Sequence, residues 1–413
     1  MRSGGARSPI LLALAFGVLL LGCGTTTSGG KPTPQQQAAL RIPLATASTV
    51  LGPPATRTLS GGETWALVAM GDLNQPDNTF WQAFVLSGPK QSWSLVTPKG
   101  VADNGGLVGS FGSKAVVLGF EASQLLAFSP VAVSNNDGAR WSPGVFPDAL
   151  APVPNALATT SAGLMLALLG KTGSSIVASD DDALTPVSQL ATLSSVAANG
   201  RSCKLAALTA VTFGPSSVPM AGGLCEGSSQ IGIFERTDKG WRLVGPMAPK
   251  GAMGADAQRA SASVSSSLDT EVLRLSTVGS HVVALAETVA TNGTSSLFRL
   301  IRSASGAWTG SPVFAVPPAQ RLTATGTEPN GSIFVLLSHA GTVTAEVLPT
   351  SGASWTRLPA LPTGTATLAF GQDGRTYALS VHQTVLTVYN LRPSGTWDPI
   401  HVIIVPIQFG SSS

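Results

Sequence analysis

Charge is what this chain has least of. Only 11% of its 413 residues are Asp, Glu, Lys or Arg, and the net charge is +3. That balance provides neither a basic face for nucleic acid nor an acidic face for cations. Aromatic residues are also few: 6% in all, with two tyrosines, Tyr377 and Tyr389. The four histidines, His281, His339, His382 and His401, are scattered, and none has a neighbour at metal-ligand spacing. No His-Glu-x-x-His and no Gly-x-Ser-x-Gly is found, which leaves zincin and nucleophile-elbow hydrolase chemistry without its residues. No sustained 3.6-residue periodicity follows the first 22 residues, which argues against a helical protein.

What remains is apolar residues together with turn formers. Apolar residues make up 43% of the chain, with 46 Gly and 29 Pro. This is too apolar for disorder and too rich in turn residues for helices. It predicts an all-β fold of one large domain or two smaller ones.

The N-terminus carries the clearest address. Arg2 and Arg7 precede an apolar run from Ile10 to Leu21, which ends in Leu20-Leu21-Gly22-Cys23. A charged front, a short apolar core and small residues make a secretory signal. The run is shorter than the roughly 20 residues of a membrane span. Its end resembles the lipobox of bacterial lipoproteins. The resemblance implies cleavage before Cys23 and lipid on that cysteine, leaving the chain on the outer face of the cell membrane. Removing residues 1–22 takes away Arg2 and Arg7 and leaves a net charge of +1. Residues 23–39 are Gly-, Thr- and Gln-rich and read as a flexible tether. Its r.m.s. span is ~20–25 Å. The folded domain is expected over residues 40–410.

Two cysteines remain, Cys203 and Cys225. In an oxidising compartment they are expected to pair. Leu205 to Phe213 reads as a strand, Gly214 to Ser217 as a turn and Met220 to Cys225 as a return strand, so the sulfurs face each other across a hairpin. Two separate buried thiols are the other reading.

Beyond the tether the chain repeats. Trp93, Trp141, Trp241, Trp308, Trp355 and Trp397 each follow a Gly/Ser-type turn, and Ser179 to Pro186 has the same turn character without a Trp. Seven markers at about 51-residue spacing fit propeller-type repeats. Apolar strands precede these turns: Phe84 to Leu86, Leu125 to Phe128, Ile231 to Phe234, Leu297 to Leu300, Val343 to Val347 and Val385 to Tyr389. Three or four short strands per unit predict a β-propeller of seven blades, with six or eight as alternatives. The last blade is completed either by Leu40 to Thr49 or by Val402 to Ile407. Gly251 to Ser267 reads as a long excursion between blades.

Ser134-Asn135-Asn136-Asp137-Gly138-Ala139-Arg140-Trp141 resembles the S-x-D-x-G-x-T-W turn of Asp-box repeats, with Asn for Asp and Arg for Thr. Ser179-x-Asp181-x-Ala183-x-Thr185 is a more eroded copy. The resemblance implies a turn between the outer strands of a blade, in which the Asp or Asn caps backbone N–H groups, the Gly has positive φ and the Trp packs between blades. Sialidases share this turn. They also begin with Arg-Ile-Pro, matched here by Arg41-Ile42-Pro43. Their two further carboxylate-binding Arg residues, Asp acid/base and Tyr–Glu pair have no clear counterpart. After Arg41 the next acidic residue is Glu63.

Other features each carry two readings. Asp180-Asp181-Asp182 reads as a solvated turn or a Ca²⁺ loop, and consecutive aspartates cannot all face one ion. Trp65 and Trp81 form either a carbohydrate platform or blade-to-blade core. The expectation is a non-catalytic, lipid-anchored binding scaffold for an envelope protein or glycan. It uses no cofactor, no metal and no nucleic acid, and Cys23, Cys203 and Cys225 are its assigned residues. A sialidase-like glycoside hydrolase is the alternative.

Overall fold

The computed structural model describes residues 55–58, 63–71, 79–87, 92–98, 104–111, 115–121, 131–143, 154–169, 175–180, 184, 186–198, 200, 202–253, 268–328, 330–371 and 374–405. The chain divides into two compact units, Met1–Ala47 and Ser48–Ser413, and all described residues lie in the second. The signal, the tether, Cys23, Arg41 and Leu40 to Thr49 lie outside the described residues.

The fold is almost entirely β, and its strands form consecutive antiparallel meanders. The first is β1 (Ala55–Thr58), β2 (Thr64–Gly71), β3 (Thr79–Ser87) and β4 (Ser92–Leu95). The second is β5 (Asn104–Phe111), β6 (Ala115–Glu121), β7 (Val131–Ser134) and β8 (Ser142–Pro143). The third is β9 (Pro154–Thr159), β10 (Met165–Leu169), β11 (Ser175–Ser179) and β12 (Ser188–Thr192). Next come β13 (Lys204–Phe213), β14 (Pro219–Glu226), β15 (Gly232–Thr237) and β16 (Gly240–Leu243). These merge with β17 (Leu268–Val278), β18 (His281–Ala290), β19 (Ser295–Arg302), β20 (Trp308–Gly310) and β21 (Phe314–Ala315) into one nine-stranded sheet. The joint is β14 to β17, where Leu224 meets Glu271 and Cys225 meets Thr270. Two more follow: β22 (Arg321–Thr327), β23 (Ile333–His339), β24 (Thr342–Leu348) and β25 (Thr356–Arg357), then β26 (Thr365–Phe370), β27 (Thr376–His382), β28 (Val385–Leu391) and β29 (Trp397–Ile404).

The order is propeller-like. β1 lies beside β5, β5 beside β9, β9 beside β13, β13 beside β17, β17 beside β22, β22 beside β26, and β26 beside β1. The first and last sheets share one core, in which Ala66, Val68, Met70 and Phe84 meet Tyr377, Leu379, Leu386 and Val388. The Gly71 N–H donates to Gln383 O at 2.8 Å across the same seam, and Trp93 stands edge-on to Tyr377 with ring centroids 6.1 Å apart. Second strands such as Thr64–Gly71 and Met165–Leu169 are nearly continuous apolar runs, because both of their faces are covered. Each large apolar side chain buried there is worth about 1.5–3 kcal/mol.

All seven marker turns fall between the third and fourth strands of their meanders. Their tryptophans tie neighbouring meanders together. The Trp141 indole donates to Val96 O at 3.0 Å, Trp308 to Val244 O at 2.7 Å, Trp355 to Pro312 O at 3.1 Å and Trp397 to Pro359 O at 3.5 Å. Each acceptor lies three or four residues beyond the tryptophan of the meander before it. Trp241 and Trp93 stand outside the series: the meander before Trp241 has no tryptophan, and the buried indole nitrogen of Trp93 has no partner among the described residues.

In the 134–141 turn, Asn136 Oδ1 accepts from Arg140 N at 2.8 Å and Ser134 Oγ accepts from Gly138 N at 3.0 Å. Gly138 has φ +81, and a Cβ there would stand 2.6 Å from Val96 Cβ. Glycine thus meets both the backbone and the space requirement.

One reading needs correcting and two gain detail. The strand that leads into this turn is Val131–Ser134 rather than Leu125 to Phe128, which lies outside the described residues. Val131 and Val133 are β-branched, and Pro130 separates them from the Leu-Leu-Ala-Phe run. One turn of helix, α1 (Leu193–Ala197), is present; Thr192 and Ser195 cap it reciprocally and Val196 is buried. Finally, β29 is the outer strand of the last meander, so that sheet is built from contiguous chain containing Val402.

Charged groups also bridge meanders. Arg302 of β19 donates to both Glu235 oxygens of β15, at 2.9 and 3.3 Å, and Arg242 adds a contact at 2.8 Å. Hydrogen bonding from Arg302 holds the Glu235 carboxyl below its usual range. Arg299, 2% exposed, has no carboxylate in hydrogen-bond reach among the described residues. Its guanidinium donates to Gly331 O at 3.2 Å, Pro349 O at 2.9 Å and Thr350 O at 3.0 Å, all in the next meander.

Candidate functional site

Cys203 and Cys225 form a disulfide with Cα atoms 5.1 Å apart. It lies in a core with Leu166, Leu208, Phe234 and Trp241. Gly232 makes room for it, since a Cβ there would stand 2.7 Å from Cys225 Sγ and 3.3 Å from Cys203 Sγ.

Trp65 and Trp81 are each 1% exposed, so neither presents a stacking face to solvent. Trp65 packs edge-on against Trp141, with centroids 6.0 Å apart. Tyr377 is buried at the seam between the first and last sheets. His281, His339 and His382 are exposed at strand ends, and His401 is half-buried on β29. Asp180 is exposed, while Asp181 and Asp182 lie outside the described residues. Among the described residues no three His, Cys, Asp or Glu side chains come together as a metal site.

Two places gather polar chemistry. One is the row of first strands. Thr209 donates to Val272 O at 2.6 Å, Thr212 and Thr277 hydroxyls meet at 3.2 Å, and Ser276 donates to Thr327 at 3.1 Å. Arg274 reaches Thr325 O at 3.4 Å and Leu273 O at 3.1 Å. Although partly solvent-accessible, its guanidinium is so surrounded by protein that desolvation lowers its pKa to about 10, against an opposing pull from Glu271. Glu271 and Glu287 sit directly opposite each other across β17 and β18. Burial raises both carboxyls, and Glu287 raises Glu271 further; Ser295 hydrogen-bonds Glu287.

Glu328, just past β22, is pushed up to about 7 by burial, with Asn330 pulling the other way. A carboxyl raised in the folded state favours folding only while protonated. Its stabilising share is full below pH 4.5, its ordinary value, and is lost as pH rises through about 7. Glu328→Gln is therefore expected to leave the melting temperature unchanged near pH 4.5 and to raise it by a few degrees at pH 8. Thermal melts of both proteins at the two pH values check this.

The second place is an open groove of about 510 Å³, lined by Pro359, Leu361, Pro362, Tyr389, Thr396 and Trp397 among others. Its wall is built by two local constraints. The 392–396 turn closes with Arg392 N donating to Thr396 O and Gly395 N to Arg392 O, both at 2.9 Å. The opposite wall is the Pro359-Ala360-Leu361-Pro362 segment after β25, fixed by the Trp397 indole on Pro359 O. Tyr389 and Trp397 are half-buried: both pack against the core of the last two meanders and both line the groove. Arg392 and Asp398 form an ion pair beside the turn. Sequence reasoning marked Trp397 as a repeat signature and Tyr389 as a strand residue. It did not bring them together, because the facing wall lies some thirty residues earlier.

Comparison with known proteins places the fold but no family. No protein-family model matches the chain, and no curated protein matches it. A crystal structure of a protein from Lactobacillus plantarum superimposes with a TM-score of 0.51 at 11% identity, over 84% of this chain and 97% of that one. The periplasmic gluconolactonase of Pseudomonas aeruginosa gives a TM-score of 0.51 at 12% identity, over 82% of this chain and 95% of that one. At such identities the likeness is to a β-rich, propeller-like fold alone.

Proposed function

We propose that this chain is an exported lipoprotein, held at the outer face of the cell membrane through Cys23. Its folded part is a closed seven-bladed β-propeller that binds an envelope component without chemistry of its own. The observation that carries the binding role is the groove at Tyr389 and Trp397. Two half-exposed aromatic rings beside threonine hydroxyls suit the mixed apolar and polar faces of a sugar, so a cell-wall glycan is favoured over a protein ligand. The blade count is supported by the seven marker turns and by the neighbour order that returns from β26 to β1. The hydrogen bonding of the 134–141 turn supports its likeness to an Asp-box. Export is supported by the charged, apolar and Leu-Leu-Gly-Cys order of the first 23 residues and by the disulfide of the folded part.

One experiment addresses both halves. The full chain, Trp397→Ala and Cys23→Ala are expressed with lipid labelling, and each is tested for retention on purified cell-wall glycan. Cys23→Ala should lose the label and keep glycan binding. Trp397→Ala should keep the label and lose at least about tenfold in affinity. Undiminished labelling of Cys23→Ala would sink the anchor, and equal retention of Trp397→Ala would sink the groove.

A further inference from the structure

The outer strand of the last meander differs from its six counterparts in length and in what it shows to water. β29 has eight residues, whereas β4, β8, β12, β16, β20 and β25 have two to five. The exposed positions of those shorter strands are Ser92, Ser94, Ser142, Ser188, Gln189, Arg242, Thr309, Gly310, Thr356 and Arg357, with Leu95 at 38% as the apolar exception. Short, polar outer strands are how sheet edges avoid pairing with other chains. On β29, by contrast, Ile400, Val402 and Ile404 are 46, 57 and 71% exposed. Spaced two apart, they stand on one face of the strand. Ile403, of the opposite parity, packs on the core shared with the first sheet, and Val405 is buried in that core. Asp398 and the exposed Pro399 blunt only the start of the strand; residues 400–404 contain no Lys, Pro, Gly or acidic residue, and among the described residues β29 pairs only with β28.

The segment is also symmetric in sequence. Read in either direction from Val402, the exposed face is Ile, Val, Ile. We propose that β29 pairs antiparallel with β29 of a second copy of this chain about a twofold axis at Val402. In that register Ile400 faces Ile404 of the second copy, Val402 faces its own equivalent, and Ile404 faces Ile400. Directly opposed side chains would lie about 4.5–5.5 Å apart at Cβ. Every exposed apolar residue of the strand then meets an apolar one, and no charge is brought against a like charge. A shift by two residues one way would set Ile404 against Asp398, and the other way would set Ile400 against Pro406, so this register is the one that matches all three exposed residues with Ile or Val. Such an interface is isologous and closes at two chains. It would leave both edges of the combined sheet on inner strands, as a second copy needs to occupy only the one long edge.

The full chain, purified in detergent, is tested by sedimentation and light scattering that report protein mass alone. Two chains per particle are expected at roughly 10 μM. Val402→Lys places two ammonium groups at the axis and should give one chain per particle with an unchanged melting temperature. Val402→Thr keeps the shape, guards against a folding defect in the lysine variant, and should raise the dissociation constant about tenfold or more. A single chain up to roughly 100 μM overturns the proposal. So does a dimer indifferent to both substitutions, an open-ended series of larger species, or a monomer whose stripe binds phosphatidylglycerol vesicles in a Val402-dependent way.

Discussion

Arg299→Ala is expected to lower the unfolding free energy by about 3 kcal/mol. Three backbone carbonyls, Gly331 O, Pro349 O and Thr350 O, accept hydrogen bonds from this one guanidinium, and Pro349 O alone of the three also accepts from Gly352 N, at 2.8 Å. A buried acceptor left without a donor costs about 1–3 kcal/mol, and the side chain is 2% exposed, so water does not replace it without opening the seam. Two effects oppose each other. Burial of the cation lowers the Arg299 pKa and shows that the charge itself is unwelcome there. The donors outweigh that penalty, because three carbonyls from two separate segments converge on a side chain that joins adjacent meanders. Arg299→Met separates the effects: it keeps the stem and removes the charge but takes the donor from Gly331 O and Thr350 O, while Pro349 O keeps Gly352 N. It should recover the part lost to packing and no more. Arg299→Lys keeps the charge but lacks the planar fork that reaches all three oxygens. Urea titration of the three variants tests the order, with wild type above Lys, Lys above or level with Met, and Ala lowest. A loss below about 0.5 kcal/mol for Ala would mean the carbonyls are solvated and the bridge is ornamental.

The repeat was readable because its signature residues solve a backbone problem at the same place in every unit. A Gly/Ser turn must precede the fourth strand, and the tryptophan after it has a carbonyl of the preceding meander to meet, so spacing alone located Trp141, Trp308, Trp355 and Trp397. The unit that lacks a tryptophan was still marked by its turn, between β11 and β12. The cysteine pairing was readable for a similar reason, since one hairpin brings both residues together. Arg299 was not. In sequence it is one polar residue in Leu297-Phe298-Arg299-Leu300, and its acceptors are main-chain atoms, which leave no residue-type signal. The groove was hidden because each wall is unremarkable alone: a proline-rich connection and a strand tyrosine. The Ile400, Val402 and Ile404 stripe was not marked, since alternation gives the period of a strand and not the side that is covered. Only the polar counterparts on the other outer strands reveal which side that is.

Breaking the disulfide with Cys203→Ser should cost about 3 kcal/mol, as expected for closing a loop of 22 residues in the unfolded chain. The native state adds a second loss. Cys203 and Cys225 are 3 and 0% exposed, and they face Leu166, Leu208 and Phe234, so a serine hydroxyl enters an apolar core without an obvious partner. Cys203→Ala with Cys225→Ala removes the crosslink without adding that hydroxyl and should be less damaging by about 1 kcal/mol. Position makes the loss spread. Cys225 lies opposite Thr270 where β14 joins β17, so loosening β14 relaxes the edge along which the two halves of the nine-stranded sheet are joined. Hydrogen exchange should therefore rise in β17 as well as in β13 and β14, while the last meander stays protected. Urea unfolding with and without reductant provides the measurement: wild type should fall to the level of the double alanine variant on reduction, and the variant should not respond. Exchange that rises in β13 and β14 alone would show that the joint does not transmit the loss.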